Sequence, residues 1–427
     1  LLLIGLTFAL AAAISAQKPA ATPRQEKLLN GMKVLTLKTP GNDIVSVKLR
    51  IHAGSSFDPQ EKEGVMKLLS DSFFPTADSR SFFHDELGGS FDVICNYDYI
   101  EIDTTARGGD FLTLIETVAQ AMATVSIDKD SIAPLKAAQL AKMQALEKDP
   151  SYVADRAVAA RLFGTFPYGR PIDGTTASLQ KIDFADLRFA KDRLVTADNA
   201  TVIISGNIDP NLAFRAARRY FGAWQKSDKR VPSTFRQPDA PDAAAVKLEM
   251  PGIAQSEIRY ATRGFARSSK DFAPAEVFAR VLQTRLAELI AKGSGSNASV
   301  VHGEHILPGA FTFGYRSQPS SPVVLSTSAD KNADQRSLHS ILARPITEAE
   351  FSVAKNEILA ERGKRDVTDL WLDVDTFRLV SPSEDLKAFQ NVALADVNAL
   401  ASRLTNAPLA TAVVSAPAVS AASSTAN

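Results

Sequence analysis

Two segments of this 427-residue chain recur in its second half, and this duplication constrains the fold more than any other feature of the sequence. Residues 127–141 align with 346–360, with Ile, Lys, Leu and Ala at equal spacing. Residues 179–205 align with 389–415, where Ala-Asp, Arg-Leu and Ala-Thr coincide and both segments end in an apolar strand. Matches at two places in the same order predict a duplicated α+β unit.

Composition marks the boundaries of the two copies. A Pro- and charge-rich stretch separates them and predicts a linker. The first sixteen residues form an apolar run that ends in small residues, which is typical of a signal-peptide core and too short to span a bilayer comfortably. The predicted organisation is a signal-peptide remnant (1–16), a linker (17–25), a first half (26–225), a central linker (226–245), a second half (246–415) and a disordered tail (416–427).

The N-terminal apolar run indicates where the protein is located, and the charge balance limits the partners that it could attract. A signal peptide indicates export, which in a Gram-negative bacterium means the periplasm, and a retained anchor helix is the alternative. The 48 basic and 48 acidic side chains balance, so no overall charge recruits nucleic acid or an anionic membrane. The single cysteine, Cys95, excludes an internal disulfide, and its apolar strand pattern favours a packed residue over a reactive thiol.

Two strand patterns stand out in the first half. In residues 44–51, apolar side chains alternate with Ser46, Lys48 and Arg50, which is the two-residue period of a half-buried strand. Residues 90–105 alternate in the same way around a short polar turn and predict a β-hairpin.

Two helical patterns frame the candidate site. Residues 61–74 have helical spacing, and on the polar side Lys67, Ser70 and Asp71 stand at i, i+3 and i+4, so they point the same way. A longer helix begins near residue 130 and is predicted to end before Pro150.

The stretch NGMKVLTLKTPGNDIVSVKLRIHAGSSFDP, followed by EGVMKLLSDSFF, resembles the N-terminal signature of the pitrilysin/insulinase family of zinc metallopeptidases. That family carries H-x-x-E-H on this helix, where two His bind zinc and the Glu activates the attacking water. The resemblance puts Lys67 and Asp71 at the His positions and Ser70 at the Glu position. Lys142 stands at the third zinc ligand, a Glu on the later helix. The resemblance therefore implies no catalytic residue, no metal ligand set and no zinc cofactor in this chain.

The replaced residues still have a chemistry. An ammonium group has no lone pair for a metal, so Asp71 is the one remaining candidate ligand. Lys67 and Asp71 are expected to form an ion pair where relatives hold the metal, or else a solvated helix face without a role. Lys142 adds positive charge, which favours an anion or a substrate carboxylate over a metal.

The family resemblance also implies an architecture. It covers residues 28–415 and implies two similar α+β halves, each a mixed, mostly antiparallel sheet packed with helices. In the family the halves face each other across a chamber, like a clamshell.

Family members bind substrate as an added strand at the sheet edge that follows a Gly-Gly pair. Strand addition depends mainly on main-chain hydrogen bonds, so it survives side-chain replacement better than catalysis does. An ordinary covered edge is the alternative. The resemblance assigns peptide binding to Gly89, Ser90, Phe91, Asp92 and Val93.

Two features of the second half are candidates for further functional sites. Active members supply an Arg and a Tyr that polarise the substrate carbonyl. Arg285, within Thr-Arg-Leu, matches the start of that segment, but residues 290–299 lack the later Arg and Tyr. The run His302-Gly303-Glu304-His305 resembles a metal-binding motif, but on a strand His302 and His305 point to opposite faces. We interpret the run as polar strand residues.

The resemblance implies a non-catalytic subunit of a two-subunit peptidase, similar to the subunits of processing peptidases. Such a subunit holds or encloses peptide for a homologous partner that bears H-x-x-E-H. One alternative is a structural or peptide-binding module without a protease partner. Another is a zinc-dependent endopeptidase with unrecognised ligands.

Overall fold

The computed structural model describes residues 21–227, 235–291, 295–318 and 338–417. The predicted signal-peptide remnant, part of the central linker and residues 418–427 of the predicted tail lie outside the described residues. No single helix in the described part of the chain is long and apolar enough to cross a bilayer, and only the bent pair Gly108–Thr124 and Lys129–Leu146 has that length and composition together.

The first half alternates strands with helices. Its strands are β1 (Arg24–Lys27), β2 (Lys33–Lys38), β3 (Ile44–Ile51), β4 (Phe91–Cys95), β5 (Ile100–Arg107) and β6 (Ala200–Gly206). Its helices are α1 (Val65–Ser72), α2 (Ala77–Asp85), α3 (Phe111–Thr124), α4 (Lys129–Leu146), α5 (Pro150–Phe163), α6 (Thr176–Lys181), α7 (Phe184–Leu194) and α8 (Pro210–Phe221). Strand β1 begins inside the segment 17–25, so the predicted N-terminal linker is shorter than expected.

The second half follows the same plan. Its strands are β7 (Val246–Glu249), β8 (Ser256–Arg263), β9 (Ser296–His302), β10 (Ala310–Ser317) and β11 (Ala410–Ser415). Its helices are α9 (Phe272–Ala291), α10 (Leu338–Ala343), α11 (Glu348–Arg362), α12 (Val367–Phe377), α13 (Pro382–Gln390) and α14 (Leu394–Thr405).

The two halves pair their strands in the same order. The first sheet runs β1-β2-β6-β3-β5-β4 and the second runs β7-β11-β8-β10-β9. The pairs β2·β6 and β7·β11 are parallel, and the pairs that follow them in each sheet are antiparallel. This correspondence confirms the predicted duplicated α+β fold with mixed, mostly antiparallel sheets.

The gapless alignment of the two copies is wrong by one residue in the last strand. It matches Ile203 of β6 to Val413 of β11. However, Ile203 packs against α12, whereas Val413 lies in the hydrophobic core on the other face of its sheet. Ala412 occupies the face that corresponds to Ile203. Because a strand has a two-residue period, the second copy must be one residue shorter between its last helix and this strand.

Each sheet is covered on one face by a helix from the other half. Helix α5 packs Val158 and Leu162 against the alanine-rich face of β8 and β11. Helix α12 packs Trp371 and Leu372 against β2 and β6. Sequence analysis missed α5, because Pro150 is not only a stop signal for α4 but also the first residue of this helix. The halves are joined by this reciprocal exchange of helices.

The polar side of β3 lies beneath α12 rather than in solvent. Arg50 is 2% exposed, and its guanidinium donates to Glu101 at 2.6 Å and to Asp373 of α12 at 2.8 Å. Lys48 is 5% exposed and donates to Asp369 of α12 at 2.6 Å. The prediction of a half-buried strand is therefore wrong, because the exchanged helix covers the second face.

We expect substitution of Arg50 by Met to destabilise the whole chain. The change leaves the buried carboxylate of Glu101 without its guanidinium partner, which costs about 3–5 kcal/mol in the free energy of unfolding. Arg24→Met is the matched control, since the side chain of Arg24 is 45% exposed and its ion pair with Glu26 contributes about 0–1 kcal/mol. Urea denaturation of both variants measures the difference. Equal losses would contradict a buried charge contact between the halves.

Candidate functional site

Helix α1 begins at a turn that the carboxylate of Asp58 holds in place. This buried side chain accepts hydrogen bonds from the backbone N–H groups of Gly64 and Met66, each at 2.8 Å. Burial raises the pKa of Asp58 to about 7, against the lowering effect of the two amide donors. Gly64 has a φ of 101°, a left-handed conformation that favours glycine. These contacts set the direction in which the polar side of α1 points.

On that polar side, Lys67 and Asp71 form a closed ion pair. The Nζ atom of Lys67 lies 2.6 Å from each carboxylate oxygen of Asp71, and the two side chains are 21% and 23% exposed. Ser70 is fully buried, and its hydroxyl donates to the backbone C=O of Lys67 at 2.7 Å. The structure therefore brings Lys67 and Asp71 together and turns Ser70 away from them.

A cavity of about 500 Å³ lies between α1, α2 and α4, with Lys67, Asp71 and Lys142 on its wall. Lys142 thus reaches the predicted place on the facing helix. Its Nζ atom donates to the carboxylate of Asp173 at 2.9 Å, so its charge is balanced. Arg80 also borders the cavity, with its guanidinium 3.9 Å from Asp71. The sequence pattern does not reveal Asp173 or Arg80, because Asp173 lies in the loop before α6 and Arg80 lies on α2, both outside the matched motif.

This donor set does not fit a zinc ion. A protein zinc site needs imidazole, thiolate or carboxylate ligands with free lone pairs, and here Lys67 occupies both oxygens of Asp71. Elsewhere among the described residues, one group of three carboxylates is compact enough to hold an ion, but the Nζ atom of Lys48 lies 2.9 Å and 2.6 Å from two of its members. The group consists of Glu101, Asp103 and Asp369.

Strand β4 is the last strand of the first sheet and pairs with β5 along one side only. The chain enters it at Gly89, where an added Cβ would lie 1.9 Å from the carbonyl oxygen of Thr105, so only glycine fits. Phe91 then packs against Phe74 and Phe83. The predicted hairpin is confirmed, and the aromatic contacts anchor its edge strand to α1 and α2.

Alternate residues of β4 turn their backbone groups away from β5. The C=O of Ser90 accepts a hydrogen bond from Thr105, so the groups of Phe91 and Val93 point outward. The N–H of Val93 donates to the carboxylate of Asp92 at 2.9 Å, and no other hydrogen bond reaches these outward groups in the described part of the chain. This edge has the geometry that strand addition needs. Peptide binding by Gly89, Ser90, Phe91, Asp92 and Val93 stays a prediction.

Burial raises the pKa of the Cys95 thiol at the end of β4. A raised pKa leaves little reactive thiolate at neutral pH. The structure therefore favours a packed residue, as the sequence pattern does.

The residues of the metal-like run in the second half each contact a different partner. His302 ends β9, and its Nε2 atom accepts the N–H of Phe265 at 3.0 Å, so Nδ1 carries the proton and donates to Glu276 at 2.8 Å. Glu304 accepts a hydrogen bond from Arg267 at 2.5 Å. The interpretation as strand residues holds for His302 alone, because Glu304 and His305 lie in the loop after the strand.

His305 instead connects the two halves. Its Nδ1 atom lies 3.1 Å from the carboxylate of Asp98, in the turn between β4 and β5. Tyr168 donates to the same carboxylate at 2.6 Å and accepts the N–H of Leu307 at 3.1 Å. The sequence holds no signal for this contact, since the partners lie 207 positions apart.

Arg285, which matches a carbonyl-binding segment in sequence, is a structural residue here. It is 2% exposed and donates to the carboxylate of Glu350 at 2.8 and 2.9 Å. It also donates to backbone carbonyls of Ile341, Arg344 and Pro345 in the connection before α11. The guanidinium therefore has no group left for a substrate.

We expect the triple variant K67H/D71H/K142E to gain a zinc site. The backbone of α1 keeps the i, i+4 spacing and Lys142 borders the same cavity, so only the side chains exclude the metal. Metal analysis after dialysis should find about one zinc per chain in the variant. The control K67A/D71A/K142E, which offers one ligand, should retain none. A triple variant without zinc would show that the helix positions themselves have diverged.

Two family models match the chain in succession. Residues 33–176 match the model described as Insulinase (Peptidase family M16), and residues 181–358 match the Peptidase M16 inactive domain. Together they span most of the chain.

The similar proteins include several that are named as uncharacterized zinc proteases. One from Rickettsia bellii is 20% identical over 410 residues, which is 91% of this chain and 96% of that protein. One from Mycobacterium tuberculosis is 24% identical over 209 residues, 48% of each chain. The match therefore spans about half the length of the mycobacterial relatives.

Solved structures share the fold over nearly the whole chain. The peptidase M16 inactive domain from Pseudomonas fluorescens superposes with a TM-score of 0.79 and 19% identity, covering 93% of this chain and 98% of that one. The ferredoxin protease FusC, in complex with Arabidopsis ferredoxin, gives 0.66 and 15% identity, covering 93% of this chain but 48% of FusC. Since both family models match in order and Lys67, Ser70 and Asp71 replace the H-x-x-E-H residues, the chain belongs to the insulinase (M16) peptidase family as a non-catalytic member.

Proposed function

We propose that this protein is the non-catalytic subunit of a two-subunit peptidase, and that it holds an extended peptide for a homologous partner bearing H-x-x-E-H. One observation carries the proposal. The strand edge beside the former metal helix is open, while the helix itself carries a closed ion pair between Lys67 and Asp71. The site therefore keeps the edge strand that could bind a peptide but lacks the side chains that would bind a catalytic metal.

Strand addition at β4 needs little from side chains. The outward N–H and C=O groups of an edge strand supply the hydrogen bonds, and pockets for alternate side chains add selectivity. At β4 the alternate, outward-facing backbone belongs to Phe91 and Val93, while Ile94 is 41% exposed beside them. The strand is held from behind by Phe74 and Phe83, so a bound peptide meets a rigid edge.

The comparison with FusC supports a second unit of similar size. FusC is a ferredoxin protease in complex with ferredoxin, and this chain corresponds to 48% of its length. In this chain the two halves contact each other directly through α5 and α12, so we assign the enclosure of peptide to the space between this chain and a second unit. The partner supplies the facing wall and the metal site. The apolar run at residues 1–16 supports export of the pair to the periplasm.

We expect this chain to co-purify with an H-x-x-E-H homologue from the same organism and to be required for its peptidase activity. Each protein is expressed alone and together, and size-exclusion chromatography and cleavage of a fluorogenic peptide are measured. The mixture should elute as a heterodimer and cleave, whereas this chain alone should not cleave. Replacing the partner's motif Glu by Gln is the control, and it should abolish cleavage without separating the subunits. Full activity of the homologue alone would contradict the proposal.

We expect Val93→Pro to weaken peptide binding about tenfold or more, the equivalent of one lost hydrogen bond to the edge. The outward N–H of Val93 is removed, while the ladder to β5 stays intact because that N–H does not face it. Val93→Ala, which keeps the N–H, is the matched control and should bind nearly as the natural protein does. Fluorescence anisotropy with a labelled extended peptide measures both. Equal binding by the two variants would exclude strand addition at β4.

A further inference from the structure

The duplication gives the chain two edge strands at equivalent places. Strand β4 ends the first sheet and β9 ends the second. When the two sheets are aligned on the faces that the exchanged helices cover, their pairing registers place Ile94 of β4 at the position of Val301 of β9. The same registers place Val93 at the position of Val300. The first pair are exposed apolar residues, 41% and 59% accessible respectively. On strand geometry alone, both edges could accept an added strand.

At β9 a side chain already occupies the outward groups. The Nε2 atom of Gln283, on α9, donates to the C=O of Ala298 at 2.8 Å. Its Oε1 atom accepts the N–H of Val300 at 2.6 Å. One residue of a parallel neighbouring strand would make the same two bonds, one to a C=O and one to the N–H two residues later. The amide of Gln283 therefore takes the place of one peptide unit.

Lack of space does not close this edge. A cavity of about 860 Å³ borders β9, and Gln283, Val300 and Val301 lie on its wall. That volume is within the range of about 300–1,000 Å³ that ligand sites occupy. With the amide of Gln283 removed, the backbone of β9 would face an accessible groove.

The corresponding groups of β4 carry no such side chain. The N–H of Val93 meets the carboxylate of its own neighbour Asp92, an exposed side chain that contacts this one donor. The outward C=O of Phe91 has no partner among the described residues. The two copies thus differ at the very groups that strand addition uses.

We propose that Gln283 blocks strand addition at β9 and thereby confines extended peptide to β4. The inference rests on the proposed function, in which a peptide adds to β4. Natural sheets protect their edges against pairing with other chains, and a side chain that satisfies the outward backbone groups does so without removing the groove. The block gives the chain one peptide site, and it keeps two molecules from pairing through β9.

The test is the number of peptides bound by the full chain with Gln283→Met. Methionine has similar length and suits a helix, but it can make neither hydrogen bond. Gln120→Met, at an exposed position of α3, is the matched control. The ligand is a fluorescein-labelled peptide of about ten residues rich in Thr, Val and Lys, titrated to saturation. Thermal denaturation verifies that each variant folds.

The expected stoichiometry is one peptide for the natural protein and for Gln120→Met, and two for Gln283→Met. Adding Val93→Pro should weaken one site of each protein about tenfold or more, as it does in the test of β4 alone. Adding Val300→Pro to Gln283→Met should weaken the new site alone, because it deletes the N–H that Gln283 had occupied. If Gln283→Met does not fold, Gln283→Ala replaces it, since alanine suits a helix and also makes neither hydrogen bond.

Failure of the two proposals is distinguishable. If peptide does not add to β4, the natural protein binds none, and a Gln283→Met variant that binds one peptide still supports the block at β9. If folded Gln283→Met, or Gln283→Ala in its place, binds the same number of peptides as the natural protein, Gln283 does not block the edge and the inference is overturned.

Discussion

The contact between β3 and α12 is the interaction on which the rest of the structure depends. Arg50 and Lys48 project from the middle of the first sheet into a row of carboxylates on a helix from the other half. Burial raises the pKa of Glu101, and the charge and hydrogen bond of Arg50 oppose that rise. Such a contact is costly to break, because each charge would be left without compensation. It fixes the two halves, and thus also the loop of His305 against the β4–β5 turn.

Replacement of the metal by an ion pair explains how the site lost its chemistry without losing its shape. Lys67 and Asp71 satisfy each other along one helix face, and Lys142 is satisfied by Asp173. The charges that line the cavity between α1 and α4 are thus paired without a metal. The neighbouring edge strand is held by glycine geometry and aromatic packing, neither of which needs the metal. The edge geometry that the proposed peptide binding needs is therefore independent of the metal.

The two copies keep the same strand order but have diverged on their surfaces. In the first copy, Lys48 and Arg50 of β3 bind carboxylates of α12. In the second copy, the exchanged helix α5 meets a face rich in alanine, and Arg259 of β8 binds Asp155 of α5. The edges also differ: at β4 the N–H of Val93 meets only the exposed carboxylate of its neighbour Asp92, and at β9 Gln283 of α9 binds the outward groups of Ala298 and Val300. The two copies of a duplicated fold can therefore differ in function. The backbone sets the equivalent positions, and the side chains decide which of these positions is accessible to a ligand.

The sequence by itself determined the duplication, the hairpin of residues 90–105, the family and the loss of the H-x-x-E-H ligands. All of these follow from local spacing, since Lys67, Ser70 and Asp71 are a single helical turn and the repeats are contiguous. Only the tertiary structure decided that Arg50 is buried, that Pro150 begins a helix, that Asp173 neutralises Lys142 and that Gln283 occupies β9. The burial of Arg50 depends on a helix from the other half, whereas the contacts of Asp173 and Gln283 depend on how segments of one half pack together. Arg50 and Asp373 lie 323 positions apart, and such a contact leaves no periodic trace in either segment, so pattern alone cannot reveal it.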